Sequence, residues 1–264
     1  MIYDRPSAYR RPADAILTKT AAIGKREKRK FEFWRRRIFG RICGMDTNAV
    51  RIAAWIAAAY FIGGVPFGFL IGKMRGVDVR TVGSGNIGAT NVFRTVGRGW
   101  GLIALFLDML KGFVPTFACR LLCAEPSWLP LAVGVSCVVG HMLTPYMRFR
   151  GGKGVATGAG MLFALVPALT GITFLLFAVV FAMSNYISLG SCVAATFIGA
   201  AIWIPVDWLS RGWHDLPQCV LVTVIAAFIV WKHRSNIARL AAGNENKIYL
   251  TGAKGPDGTK PKEA

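Results

Sequence analysis

The sequence predicts an all-α, polytopic transmembrane helix bundle, and three observations carry that prediction. Of the 264 residues, 54% are hydrophobic and the mean hydropathy is +0.45. Apolar runs near the ~20-residue length that spans a bilayer follow one another from Ala49 to Trp231. Charged residues make up only 17% of the chain, and within this region they concentrate in the short connections between runs. So continuous an apolar pattern excludes a soluble domain carrying a single anchor.

About seven spans are expected, at 51–72, 99–123, 127–147, 155–167, 168–185, 189–206 and 216–232. The fourth is short. Pro167 separates it from the fifth, because proline cannot continue the helical hydrogen-bond ladder. Orientation follows from loop charge. Lys73, Arg75, Arg80, Arg94 and Arg98 follow the first run. Arg148, Arg150 and Lys153 follow the third, and Lys232, Arg234, Arg239 and Lys247 follow the last. The alternate connections are nearly free of cations, with only Arg211 in 207–215. Odd-numbered spans therefore exit into the cytoplasm, leaving the N-terminus of the bundle outside and its C-terminus cytoplasmic.

The formal charge is +19. Cations in loops between apolar runs point to inner-leaflet anchoring rather than nucleic acid. Residues 1–44 hold 13 Lys/Arg and 4 Asp/Glu and lack the apolar stretch of a signal peptide, so they conflict with an outside N-terminus. This basic extension is read as a mis-assigned start, with translation beginning at Met45; the alternative is a disordered basic arm. Residues 45–250 form the membrane domain and 251–264 a polar tail. Six cysteines (Cys43, Cys119, Cys123, Cys137, Cys192, Cys219) are scattered without CxxC or His/Cys ligand spacing, and read as small buried hydrophobes. No metal site or cofactor is expected.

Three polar clusters fall on the face assigned to the cytoplasm. The first is the loop Gly83-Ser84-Gly85-Asn86-Ile87-Gly88-Ala89-Thr90-Asn91-Val92-Phe93-Arg94. Its Gly83-x-Gly85-x-x-Gly88 spacing matches the dinucleotide fingerprint, but no strand or βαβ unit surrounds it. What remains is a glycine-rich backbone able to turn amides toward an anion, short side chains on Ser84, Thr90 and Asn91, and an Arg94 fork suited to phosphate. The second cluster, Arg150-Gly151-Gly152-Lys153-Gly154, opens a helix, whose amides and positive macrodipole end favour an anion. The third runs from His233 through Asn236 and Arg239 to Glu245; the first three can lie near one helix face.

Asp108 and Lys111 are ionisable residues inside the second run, spaced to pair. Asn185 and Ser188 sit near the turn before the sixth run and are candidates to line the site. His141 and His214 read as incidental. No Gly-x-Ser-x-Gly elbow and no His-x4-Asp pattern is present, which argues against serine hydrolases and the His-Asp class of glycerolipid acyltransferases.

The stretches GSGNIGATNVFR (83–94), LDMLKG (107–112), GGKGVATGAG (151–160) and HRSNIARLAAGNE (233–245) closely resemble the PlsY-type acyl-phosphate:glycerol-3-phosphate acyltransferases of bacteria, over about 50–250. The resemblance implies a seven-helix inner-membrane enzyme with its active site at the cytoplasmic face. It implies transfer of an acyl group from acyl phosphate to the 1-hydroxyl of sn-glycerol 3-phosphate, giving lysophosphatidic acid and inorganic phosphate, the first committed step of bacterial phospholipid synthesis. The family's catalytic roles fall on Ser84, Arg94, Lys153, His233, Asn236 and Glu245. Phosphate binding is expected at Gly83, Gly85, Asn86, Gly88, Thr90, Asn91, Gly151, Gly152 and Gly154, with Asp108, Lys111, Asn185, Ser188 and Arg239 in support. Expected partners are the two phosphorylated substrates, membrane lipid and, functionally, the enzyme that makes acyl phosphate. The general base is left open between His233 and a substrate phosphate oxygen. A phosphate-ester transporter and an anionic-lipid scaffold are the competing classes.

Overall fold

The computed structural model describes residues 48–123, 126–204 and 216–249. The chain divides into two compact units, Met1–Arg51 and Ile52–Ala264. Of the first, only the last few residues are described, where a helix begins. The readings of residues 1–44, of Cys43, of Arg211 and His214, and of the 251–264 tail lie outside the described residues.

The described chain is helical. In order come α1 (Asn48–Gly64), α2 (Phe67–Met74), α3 (Ala89–Thr95), α4 (Arg98–Leu122), α5 (Leu129–Met142), a 3-10 turn at Pro145–Met147, α6 (Val155–Leu165), α7 (Pro167–Ser184), α8 (Ile187–Ala201), α9 (Leu216–Lys232) and α10 (Arg234–Ala241). Among the described residues, four segments are long and apolar enough to cross a bilayer: Ala49–Met74, Arg98–Leu122, Leu129–Met147 and Pro167–Ser184. A fifth is added if α9 and α10, bent by 52° at their junction, count as one broken span. The expected runs at 155–167 and 189–206 are helices of 11 and 15 residues, α6 and α8, shorter than the ~20 residues a perpendicular span needs. Val166 caps both α6 and α7, with Pro167 at the first position of α7, so the break falls where the proline dictates.

Small residues set the spacing of the bundle. A Cβ on Gly112 would lie 2.1 Å from the carbonyl oxygen of Thr157, and one on Gly160 would lie 2.0 Å from that of Met109. The α4 and α6 backbones therefore touch directly, the close approach that drives helix association where lipid supplies no hydrophobic force. Cys119, Cys123 and Cys137 are buried with Ala59, Leu129 and Val133, and Cys219 is buried with Ile202 and Leu169. These thiols pack as the small apolar side chains expected of them.

The segment between the first two long spans contains more structure than a loop. Val79, Ile87 and Val92 are buried with Ile71 and Ala104. These apolar anchors pin the glycine-rich chain, and α3 forms within it.

Candidate active site

The Asn91 side chain ties the turns of the 83–94 segment together. Asn91 is 1% exposed; its Oδ1 accepts from the Ser84 amide at 2.9 Å, and its Nδ2 donates to the carbonyls of Val79 (2.7 Å) and Val82 (3.2 Å). Asn86 works similarly, accepting from the Gly88 amide at 2.8 Å. The Gly85 amide donates to Val82. Gly83 takes φ +61°, and a Cβ there would meet Asn91 Oδ1 at 2.3 Å. Asn91, Asn86 and the amides of Gly85 and Gly88, expected at the phosphate, are thus spent on shaping the turn. Ser84 remains exposed, and its hydroxyl makes no hydrogen bond among the described residues. No described residue hydrogen-bonds that hydroxyl as an activating base would.

The second cluster shows the same division of labour. The amides of Gly151 and Gly152 donate to the carbonyls of Met142 and His141, both at 3.1 Å, so these glycines face the end of α5 rather than an open anion position. Gly154 adopts φ +83° and starts α6. The amides of Lys153 and Gly154 make no hydrogen bond among the described residues, and they stand at the positive end of that helix.

The third cluster joins the other two. Lys153 Nζ donates to Asn236 Oδ1. Asn236 Nδ2 donates to Glu245 Oε1 at 2.8 Å, Ser188 Oγ donates to the same oxygen at 3.1 Å, and Arg239 Nε donates to Oε2 at 2.7 Å. Arg94 Nη2 donates to the Asn246 carbonyl at 3.0 Å and lies 3.9 Å from Glu245 Oε1. Residues from α3, the α6 entry, α8 and α10 thereby meet around one buried carboxylate, 6% exposed. Burial alone would raise the Glu245 pKa; hydrogen bonds from Asn236 and Arg239 outweigh it and hold the carboxyl below its usual range. Burial pushes Lys153 down to about 8, with Glu245 opposing and Arg239 and Arg94 reinforcing. Burial lowers Arg94 as well, partly offset by Glu245. One carboxylate thus serves three cations. Arg94 Nε is buried without a hydrogen-bond partner among the described residues, so the guanidinium is not fully satisfied by the protein.

His233 caps the N-terminus of α10 at the bend after α9 and is 4% exposed. Its Nδ1 lies 2.8 Å from the Ile229 carbonyl. That contact requires Nδ1–H in the neutral ring, which leaves the Nε2 lone pair as a proton acceptor.

The remaining expected residues divide. Ser188 belongs to the cluster. Asn185 contributes backbone: it ends α7 with φ 61°, and its carbonyl accepts from the Ile248 amide at 2.8 Å, fixing the strand of chain that carries Glu245. Asp108 and Lys111 form an ion pair at 2.6 Å inside α4, and Lys111 Nζ also donates to Val65 O at 2.8 Å. Among the described residues, no side-chain hydrogen bond joins Thr90 to the cluster. Two participants were invisible in the sequence. Asn246 acts through its carbonyl, which carries no residue signal, and His141, ten residues before Gly151, reaches Gly152 only through the fold. Among the described residues, no group of three or more His, Cys, Asp or Glu is placed to hold a metal ion.

Long apolar helices with excess, partly buried positive charge gathered at one polar cluster define an integral membrane protein equipped to hold anionic groups. Comparison with known proteins narrows that class. Residues 53–243 match the family described as Glycerol-3-phosphate acyltransferase. A glycerol-3-phosphate acyltransferase of Trichlorobacter lovleyi is 45% identical over 198 residues, 74% of this chain and 96% of the relative. One of Aquifex aeolicus is 39% identical over 190 residues, 72% of this chain and 95% of the relative. The crystal structure of PlsY, an integral membrane glycerol 3-phosphate acyltransferase, in its glycerol 3-phosphate form superimposes with TM-score 0.69 at 36% identity, covering 75% of this chain and 96% of that one. Its lysophosphatidic acid form gives 0.66 at 35% identity. The chain belongs to the glycerol-3-phosphate acyltransferase family and is a membrane acyltransferase.

Proposed function

We propose that this enzyme transfers an acyl group from acyl phosphate to the 1-hydroxyl of sn-glycerol 3-phosphate, releasing lysophosphatidic acid and inorganic phosphate. The observation that carries the reading is the charge imbalance of the cluster around the buried Glu245 carboxylate. Arg94, Lys153 and Arg239 share the single carboxylate of Glu245, and part of the Arg94 fork and the Lys153 and Gly154 amides have no protein partner among the described residues. Two phosphate-bearing substrates would complete that balance. PlsY structures with glycerol 3-phosphate and with lysophosphatidic acid support one phosphorylated acceptor and one phosphorylated lipid product.

In the proposed step the glycerol hydroxyl oxygen attacks the acyl carbonyl carbon. The bond from that carbon to the phosphate oxygen breaks, and phosphate leaves with the electron pair. The hydroxyl proton passes to His233 Nε2 or to a phosphate oxygen. Acyl phosphate is already activated, so the protein's work is positioning and stabilisation of negative charge, effects worth several kcal/mol each. Arg94 and Lys153 bind phosphate oxygens. Asn236, Glu245, Ser188 and Arg239 hold Lys153 and Arg94 in place. Ser84 supplies a hydrogen bond rather than a nucleophile.

The same reading puts the domain at about 45–250, with seven membrane segments in the bacterial inner membrane, α6 and α8 being the two short ones. The N-terminus lies outside and the site opens to the cytoplasm, a placement supported by the distribution of cations among the loops. The test is purified protein with palmitoyl phosphate and radiolabelled glycerol 3-phosphate, beside a parallel reaction with palmitoyl-CoA. Labelled lysophosphatidic acid from acyl phosphate alone is the expected result. Product only from the thioester would overturn the donor assignment.

A further inference from the structure

Asp108, Lys111 and His141 form a buried polar group that the proposed chemistry does not use. They are 2%, 4% and 5% exposed, in a part of the bundle where unpaired charge is costly. Lys111 is satisfied by Asp108 at 2.6 Å and by the Val65 carbonyl at 2.8 Å, across the break between α1 and α2. A simple ion pair would need nothing more. Yet Asp108 Oδ1 also lies 3.7 Å from His141 Nδ1, beyond a direct hydrogen bond but close enough to orient the ring. A buried carboxylate beside Nδ1 favours the tautomer with its proton there and turns Nε2 to the opposite side.

On that opposite side is the second cluster. A Cβ on Gly152 would lie 2.1 Å from His141 Nε2 and 2.8 Å from Cε1, so the imidazole fills the space beside that glycine. The His141 carbonyl accepts the Gly152 amide and the next carbonyl, that of Met142, accepts the Gly151 amide, each at 3.1 Å. Both backbone and ring of His141 therefore brace the turn. Its next two residues, Lys153 and Gly154, are left with amides that make no hydrogen bond among the described residues.

We propose that Asp108 and His141 are positioning residues for the anion-binding turn, with Asp108 orienting the His141 ring and the ring and carbonyl of His141 setting where Lys153 and Gly154 meet a phosphate. The proposal assigns His141, which the sequence marks as incidental, to the active-site support. It rests on the reading of this turn as a phosphate site, so its test includes a readout independent of acyl transfer.

The variants are His141→Leu, His141→Gln and the double change Asp108→Asn/Lys111→Met, which removes the carboxylate without leaving a buried ammonium alone. For each, kcat, both KM values, thermal stability and inorganic phosphate binding by calorimetry are measured on the full chain in detergent. The expected result for His141→Leu is a roughly tenfold or larger rise in KM for one phosphorylated substrate and a matching loss of phosphate affinity. The other KM stays within about threefold, and His141→Gln recovers part of the loss through its amide. A lowered melting temperature with both KM values and phosphate affinity unchanged would overturn the proposal and leave the group as packing alone. If His141→Leu does not fold, the double variant decides on the same criteria. Phosphate binding that weakens in the variants of a protein with no acyl transfer would retain the proposal while removing the proposed reaction.

Discussion

Gly152→Ala isolates what the turn geometry is worth. The added Cβ would sit 2.1 Å from His141 Nε2, about 1.3 Å short of ordinary van der Waals contact. His141 cannot retreat freely, because it is buried against Asp108 and its own carbonyl holds the Gly152 amide. The turn must therefore move by about 1 Å, taking the adjacent Lys153 with it. Misplacement on that scale costs on the order of 10²-fold in catalysis when the reacting groups are held by position. The assay is steady-state acyl transfer with each substrate varied in turn, beside a melting curve for each protein. The expected outcome is kcat/KM lower by about two orders of magnitude with folded protein retained. Wild-type kinetics in Gly152→Ala would refute the reasoning, since the turn would then tolerate displacement without consequence for the phosphate site.

Other perturbations probe the cluster separately. Arg94→Lys keeps the charge but loses the planar fork; kcat/KM is expected to fall at least 10²-fold, whereas a scaffold needing only charge would bind anionic vesicles as well as before. Lys153 is charged below its pKa of about 8 and neutral above it, so the KM of the substrate it holds should rise as pH passes through 8. In Lys153→Arg, whose charge persists, that alkaline limb should be absent from the pH profile. Glu245→Gln removes the carboxylate that accepts from Ser188, Asn236 and Arg239; weakening these bonds beside partly buried cations should cost about 1–3 kcal/mol, read as a lower melting temperature that raised phosphate concentration partly restores. Asn91→Ala removes three hydrogen bonds that shape the first turn and should cost about 1–3 kcal/mol, with activity falling as the Ser84 backbone loses its anchor.

By itself the sequence determined the membrane class and the helix positions, because apolar run length and proline breaks are local properties. Pro167 ends one helix and opens the next where expected. The three polar clusters were legible too, since glycines and cations between apolar runs have few other uses. Crossing length was legible only in part: the fourth run already read as short and folds as the 11 residues of α6, whereas 189–206 read as a full span and gives a 15-residue α8. Nor could the sequence divide scaffold from ligand-binding groups. Asn91 and Lys153 look equally suited to a phosphate. Only the tertiary structure turns the first inward, to the Val79 and Val82 carbonyls, and brings the second to Asn236, 83 residues away. The same holds for Glu245, whose carboxylate gathers partners from separate helices, and for His141, which touches Gly152 only because α5 ends beside the entry to α6. Hydrogen-bond partners are set by distances between elements, and those distances follow from helix packing, which leaves no local trace in the order of residues.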